Sequence, residues 1–148
     1  MNIFCLLRIV VGGVLAVSGF EKLVSPYQNF LYVIQAYAFL PPGIEYLVAR
    51  GLPWVEFFTG VFAVLGLWTK ESLIASAVLF FGFIAVVSQA LLRHLPIEEC
   101  GCFGELLSLP PRLVLAMDAC LLVAALFLIK NAEKSRRCGL DLCFDQGK

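Results

Sequence analysis

The stretch LIASAVLFFGFIAVVSQALL, residues Leu73–Leu92, is twenty residues long and contains no charged side chain. A helix of about 20 apolar residues crosses the roughly 30 Å hydrocarbon core of a bilayer. Prolines, glycines or charged residues separate this stretch from three other apolar runs, which are Ile3–Leu23, Leu52–Trp68 and Leu113–Ile129. The sequence therefore predicts an all-α integral membrane protein in which four spanning helices form a bundle.

The composition agrees with a membrane protein. Hydrophobic residues make up 61% of the 148 residues and charged residues only 15%, and the mean hydropathy is +0.92. A soluble domain of this size would expose much of that apolar surface to water, whereas a lipid bilayer removes this cost. The formal net charge is zero, so nucleic acid is not expected as a partner.

The breaks between the apolar runs predict one domain over residues 1–130, with spans at about 3–24, 52–68, 73–92 and 112–130. Residues 131–148 form a short basic tail. We expect the first apolar run to stay as a span, because Arg8 interrupts it and it does not match a cleaved signal peptide. Pro53 suits the first helical position of the second span, where its missing N–H costs nothing. This position would put Glu56 near the positive end of that helix.

The connection Ser25–Gly51 is rich in aromatic residues and poor in charge. It predicts an extra interfacial helix between the first and second spans, ended by Pro41-Pro42. Such a helix either anchors the bundle as an aromatic belt or covers a site at the interface.

Lysine and arginine positions predict the orientation. Seven of the eleven basic residues lie on the side that holds both termini, and four lie on the opposite side. Because cytoplasmic segments are enriched in basic residues, both termini are expected in the cytoplasm of a bacterium and the connection between the last two spans outside its inner membrane.

That connection contains Cys100-Gly101-Cys102-Phe103-Gly104. A disulfide between residues i and i+2 closes a tight ring, and strain makes a disulfide easier to reduce. Cys100 and Cys102 are therefore candidate catalytic residues for thiol–disulfide exchange. A static disulfide that braces the loop, or that joins Cys100 or Cys102 to another cysteine, is the structural alternative, since persistent disulfides occur in oxidising compartments.

His94, the only histidine, precedes Cys100 by six residues. As a cation or a base it could promote a thiolate, although a loop histidine is often only solvated. Together with Cys100 and Cys102 it could also bind zinc or copper(I). A fourth ligand is not obvious and the cysteine spacing is unusual for structural zinc, so no metal site is predicted.

Ionisable residues from three spans are expected at similar depth on the side of the cysteine loop. Such residues are costly in a membrane, and they either line a cavity or pair with one another while the basic ones reach the headgroups. Ser18 and Lys22 share one helix face because they are four residues apart. The predicted supporting cluster consists of Lys22, Glu56, Arg112, Asp118, Ser18 and His94.

The remaining cysteines have no predicted catalytic role. Cys5 and Cys120 lie in apolar stretches, where cysteine packs as a small hydrophobic residue. Cys138 and Cys143 lie in the tail and are expected to be reduced if the tail is cytoplasmic. In the opposite orientation, these two would be the natural disulfide.

Several motifs, in the same order, resemble a known group of proteins. Ser18-Gly19-x-x-Lys22, Tyr37 with Leu40-Pro41, and Pro53-x-x-Glu56 with Gly60 and Gly66 resemble the DoxX-like group of small four-helix membrane proteins. The CGCFG sequence before the last span is similar to the MauE (methylamine utilisation protein E) branch. The resemblance covers about Arg8 to Ile129, and the tail pair Cys138-x₄-Cys143 has no place in it.

The resemblance implies a redox-associated membrane protein. The MauE branch is linked with maturation of the disulfide-rich small subunit of methylamine dehydrogenase, and many relatives look like partners of thioredoxin-like proteins. Two hypotheses follow. The protein is a thiol–disulfide oxidoreductase that uses Cys100 and Cys102, with a quinone as its cofactor and a periplasmic thioredoxin-like or disulfide-containing partner. Alternatively, it is a non-catalytic assembly factor or anchor subunit of a redox complex.

Overall fold

The structure is a computed structural model, and it describes residues 3–94, 110–136 and 139. This part of the chain contains no β-strand, and four of its helices are long and apolar enough to cross a membrane. The prediction of an all-α membrane bundle with an extra short helix between the first and second spans is confirmed. The helices are α1 (Ile3–Val24), α2 (Tyr27–Ala36), α3 (Ile44–Leu65), α4 (Thr69–Leu92), α5 (Pro111–Lys130) and α6 (Ala132–Arg136).

The second spanning helix begins earlier than the sequence suggested. α3 begins at Ile44, eight residues before Leu52, and Gly43 precedes it with a φ of 103°. Pro53 therefore lies inside the helix and not at its first position. There it removes one backbone hydrogen bond, the bond to the carbonyl four residues earlier. Glu56 lies about three turns into α3, so the expected interaction with the helix N-terminus does not apply.

Small residues allow α1 and α3 to pack with their backbones close together. A Cβ atom added to Gly12 would lie 2.8 Å from both the Cβ of Ala63 and the carbonyl oxygen of Gly60. Gly60 in turn faces the backbone of Ala16. Close backbone approach through small residues is a common way for helices to associate in membranes. The Gly12-x-x-x-Ala16 stripe is therefore used for packing within the chain.

The other main helix pair is α4 with α5, and α1 packs against both of them. The buried core that joins these three helices includes Leu15, Phe80 and Leu128. Large apolar side chains also cover the outside of the bundle; Phe81 and Val123, for example, are about two-thirds exposed. An exposed apolar surface of this kind fits the hydrocarbon of a lipid bilayer.

The two ends of the bundle are called the loop end and the terminal end. The loop end consists of α2, the last turn of α1, the first turns of α3 and α5, and the last turn of α4. The terminal end consists of the first turn of α1, the α3–α4 turn, and α6 after the end of α5. At the terminal end, the Arg8 guanidinium donates a 3.1 Å hydrogen bond to the Ser135 carbonyl. The start of the predicted tail is thus packed against the bundle.

Candidate functional site

A buried ion pair joins α1 and α3 towards the loop end of the bundle. The Lys22 Nζ lies 2.7 Å from Glu56 Oε2, and the two side chains are 2% and 0% exposed. The same ammonium donates a 2.8 Å hydrogen bond to Ser18 Oγ, and that hydroxyl donates a 3.1 Å bond to Glu56 Oε2. The three groups form a closed triangle that holds both charges in a fixed position inside the bundle.

The local sequence explains how α1 and α3 bring these groups together. Ser18 and Lys22 are one helical turn apart, so both side chains face α3. Gly19 lies between them, and a Cβ there would be 2.5 Å from the Phe57 amide nitrogen and 2.8 Å from the Pro53 carbonyl oxygen. The absence of a side chain at Gly19 lets α3 approach closely enough for Glu56 to reach the ammonium.

Asp118 adds a second buried acid from α5. Its side chain is 4% exposed, and it lies within electrostatic range of Lys22 and Glu56. Among the described residues, neither Asp118 Oδ2 nor Glu56 Oε1 has a hydrogen-bond partner. Three helices therefore contribute one cation and two acids to the same interior region, and two carboxylate oxygens remain available.

Next to this cluster lies a small apolar cavity of about 110 Å³. Among the described residues that line it, Lys22 is the only charged one, and its ammonium lies 5.2 Å from the Phe30 ring centre and 5.7 Å from that of Phe83. Such cation–aromatic contacts stabilise an ammonium that has left water. Lys22 therefore connects the polar triangle with an apolar space between helices.

The short helix α2 covers this cavity. Phe30, Val33 and Ile34 of α2 line it, as does Tyr37 just after the helix. The opposite face of α2 is exposed, as Tyr32 is 69% accessible. One face of α2 therefore lines the cavity, and the opposite face is exposed.

Two predicted members of the cluster lie outside it. Arg112 and His94 are exposed, and none of the hydrogen bonds or ion pairs among the described residues joins them to Lys22. His94 has a φ of 51°, which places it in the left-handed region as the chain leaves α4. Cys100 and Cys102 lie outside the described residues, as do Cys138 and Cys143.

The structure corrects the interpretation of Cys5 as a packing residue. Cys5 is 1% exposed and forms a disulfide. Cys120, the other cysteine of the described part, is free and exposed on α5, so it is not a buried packing residue either.

Sequence reasoning missed the burial of two further charged residues, Arg8 and Glu21. Arg8 is 1% exposed at the terminal end. Glu21 is 6% exposed, and its Oε1 accepts a 3.0 Å hydrogen bond from the Ser25 hydroxyl. The four-residue spacing of Glu21 and Ser25 was a signal for this contact. Nothing local to Arg8 indicated that it would meet Ser135, because that contact spans 127 positions.

A second and more polar cavity lies at the terminal end. Its volume is about 600 Å³, and its charged lining residues are Lys70, Glu71, Lys130, Glu133 and Lys134. Within residues 3–94, 110–136 and 139, no three histidine, cysteine or acidic side chains come together in a way that could hold a metal ion.

Comparison with known proteins gives one match. The family model described as methylamine utilisation protein MauE matches residues 1–131, which is most of the chain. No curated protein and no solved structure matches it. The matched region contains all four spanning helices and every residue of the Lys22 cluster. The chain therefore belongs to the MauE family of methylamine utilisation proteins and is a multi-pass membrane protein.

Proposed function

We propose that this protein oxidises the thiols of a partner protein through Cys100 and Cys102 and passes the electrons to a quinone. The observation that carries the proposal is the apolar cavity at the loop end, where the buried Lys22 ammonium faces a space enclosed by α2. The loop with the two cysteines connects α4 and α5 at this same end. The cysteine pair and the quinone site would therefore both lie at the loop end of the bundle.

The exchange step follows ordinary thiol–disulfide chemistry. A thiolate of the partner attacks the Cys100–Cys102 disulfide, a mixed disulfide forms with Cys100, and Cys102 leaves as a thiolate. The second partner thiol then displaces Cys100, so the partner loses two electrons and gains a disulfide. Reoxidation of the Cys100 and Cys102 thiols to the disulfide releases two electrons and two protons, and a bound quinone would supply the acceptor for both.

The cavity suits a quinone by its chemistry, because its lining is apolar and includes the Lys22 ammonium. Its volume of about 110 Å³ is smaller than the roughly 150 Å³ of a cavity that accepts a benzene ring, so a quinone ring would enter only with an outward shift of α2. Two of the three ammonium protons of Lys22 point to Ser18 and Glu56. The third N–H is left for a carbonyl oxygen of the ligand.

We propose that the cysteine loop faces the periplasm, because most basic residues lie on the side of the termini. One observation favours the opposite orientation. The disulfide of Cys5 lies at the terminal end, and persistent disulfides form mainly in oxidising compartments. Labelling intact cells with a membrane-impermeant maleimide, before and after reduction, distinguishes the two. Labelling at Cys100 or Cys102 supports the periplasmic loop, and labelling only at the tail cysteines contradicts it.

The function itself is tested by trapping. In a Cys102→Ser variant the Cys100 thiolate can still attack the disulfide of an oxidised partner, in the reverse of the exchange step, and one partner sulfur leaves as a thiolate. The resulting mixed disulfide should accumulate, because the Cys102 thiol that would release Cys100 is missing. Cys120→Ser is the matched control, since Cys120 is a free cysteine on the outer surface of α5, and it should trap nothing. If neither Cys100→Ser nor Cys102→Ser traps a partner, and the quinone pool keeps its redox state in both, the proposal is wrong.

A second candidate function is that of a non-catalytic assembly or anchor subunit. It is favoured by the Lys22–Glu56 pair, which joins two helices as a structural contact would. In this case the double variant Cys100→Ser/Cys102→Ser would keep full function in maturation of the partner. Loss of maturation in the double variant, with its membrane abundance unchanged, supports the redox function instead.

A further inference from the structure

The buried cluster contains more acid than base. Lys22 supplies one positive charge, whereas Glu56 and Asp118 together supply two carboxyl groups. If all three were ionised, the interior of the bundle would carry an uncompensated negative charge. Such a charge is costly away from water, and a neighbouring partner or a proton normally removes it.

No other charged group of the described residues compensates this excess. α5 packs against α4, α1 and α6, and the charged residues of α4 and α6 lie at the terminal end. Arg50, Arg93 and Arg112, which lie towards the loop end, are exposed. On α1, the other buried charge at this end is Glu21, which is an acid and would only add to the negative charge.

The hydrogen bonds lead to the same conclusion. Lys22 and Ser18 both bond to Glu56 Oε2, while Glu56 Oε1 and Asp118 Oδ2 have no partner among the described residues. A buried ionised carboxylate needs donors at its oxygens, and leaving one without a donor is expensive. A protonated carboxyl is neutral and has one O–H donor, so in the same buried position it needs only one hydrogen-bond acceptor.

We propose that Glu56 and Asp118 hold one exchangeable proton between them, and that this pair is a proton-loading site for chemistry in the cavity beside Lys22. The link is Lys22 itself, which bonds to Glu56 and also lines the cavity. When a ligand oxygen in the cavity gains electrons, Lys22 donates a proton to it and the acid pair replaces that proton. The proton transfer from Lys22 to the ligand rests on the function proposed above. The presence of a bound proton on Glu56 and Asp118 does not depend on that function.

Infrared difference spectroscopy tests the bound proton directly. The full-length protein in lipid nanodiscs, without thiol partner or quinone, should show the C=O stretch of a protonated carboxyl at neutral pH. This band should shift on exchange into D₂O. It should be lost or displaced in the near-isosteric variants Asp118→Asn and Glu56→Gln, and unchanged in Glu71→Gln, whose carboxyl is exposed at the terminal end.

Thermal unfolding of each variant shows whether it is folded, so a spectrum is interpreted only for a folded protein. If Glu56→Gln does not fold, Asp118→Asn and Asp118→Glu carry the test, and the latter should keep the band at a shifted frequency. Absence of the band in the wild-type protein overturns the proposal, and so does a band that neither variant alters. A cysteine variant distinguishes the bound proton from the proposed thiol–disulfide function. Cys102→Ser should keep the carboxyl band even if it traps no partner.

Discussion

Lys22 and Glu56 are 34 positions apart in the chain, and their charged atoms lie 2.7 Å apart inside the bundle. The pair joins the end of α1 to the middle of α3, and it leaves one face of the ammonium towards an apolar cavity. This geometry gives the ion pair two consequences, one for stability and one for binding. Both can be measured.

Removing one member of the pair should destabilise the protein strongly. Lys22→Met leaves the Glu56 carboxyl buried without its cation, which typically costs about 3–5 kcal/mol. The double variant Lys22→Met/Glu56→Leu should recover much of this loss, because no buried charge remains. The measurement is the free energy of unfolding in mixed micelles with denaturant. Lys130→Met, which removes an exposed lysine from α5, is the control; a comparable loss there would contradict the argument.

The contact between α1 and α3 should be sensitive to side-chain size at one glycine and not at its neighbour. Gly12→Val places a side chain where a Cβ would already be 2.8 Å from Ala63, whereas nothing lies within 4 Å of a Cβ at Gly13. Both substitutions carry the same intrinsic cost for a valine in a helix. We expect the melting temperature to fall for Gly12→Val and to change little for Gly13→Val. Equal effects would show that the α1–α3 interface is not packed in this way.

The disulfide of Cys5 should join α1 to the tail. Gly139 lies close to Gly66 and Arg8, which is one turn from Cys5, and Cys138 is the residue before Gly139. We therefore expect non-reducing peptide mapping to give a Cys5–Cys138 cross-link. Cys5→Ser should lower stability by about 2–5 kcal/mol, as loss of a native disulfide often does in small domains, while Cys120→Ser should not. A cross-link from Cys5 to Cys100 or Cys102 would contradict this prediction.

Filling the cavity should separate binding from thiol exchange. Val33 lines the cavity from α2, whereas the adjacent Tyr32 faces outwards. Val33→Trp should abolish quinone-dependent reoxidation of the cysteines and leave trapping by Cys102→Ser unchanged, because the loop is not altered. Tyr32→Trp is the matched control and should reoxidise normally. Normal reoxidation in Val33→Trp would exclude this cavity as the quinone site.

Much of the candidate site could be predicted from the sequence, because part of it follows helical spacing. Ser18 and Lys22 are one turn apart on the same helix, so their common face required no knowledge of other helices. Glu56 and Asp118 were recognisable because acids within apolar stretches are costly and need partners. Arg112 was predicted to join the cluster because it is also a charged residue next to an apolar stretch, yet its side chain is exposed. Position along a helix determines depth, but the rotation of the helix determines which way a residue points.

The sequence by itself determined that four helices cross a membrane with a short aromatic helix after the first, because hydrophobic length and breaker residues are local properties. Only the tertiary structure decided that Glu56 meets Lys22 over Gly19, that Arg8 binds the Ser135 carbonyl, and that α2 encloses a cavity. Each of these depends on how two distant segments pack. Packing is set by the shape of both surfaces together, which neither segment contains alone.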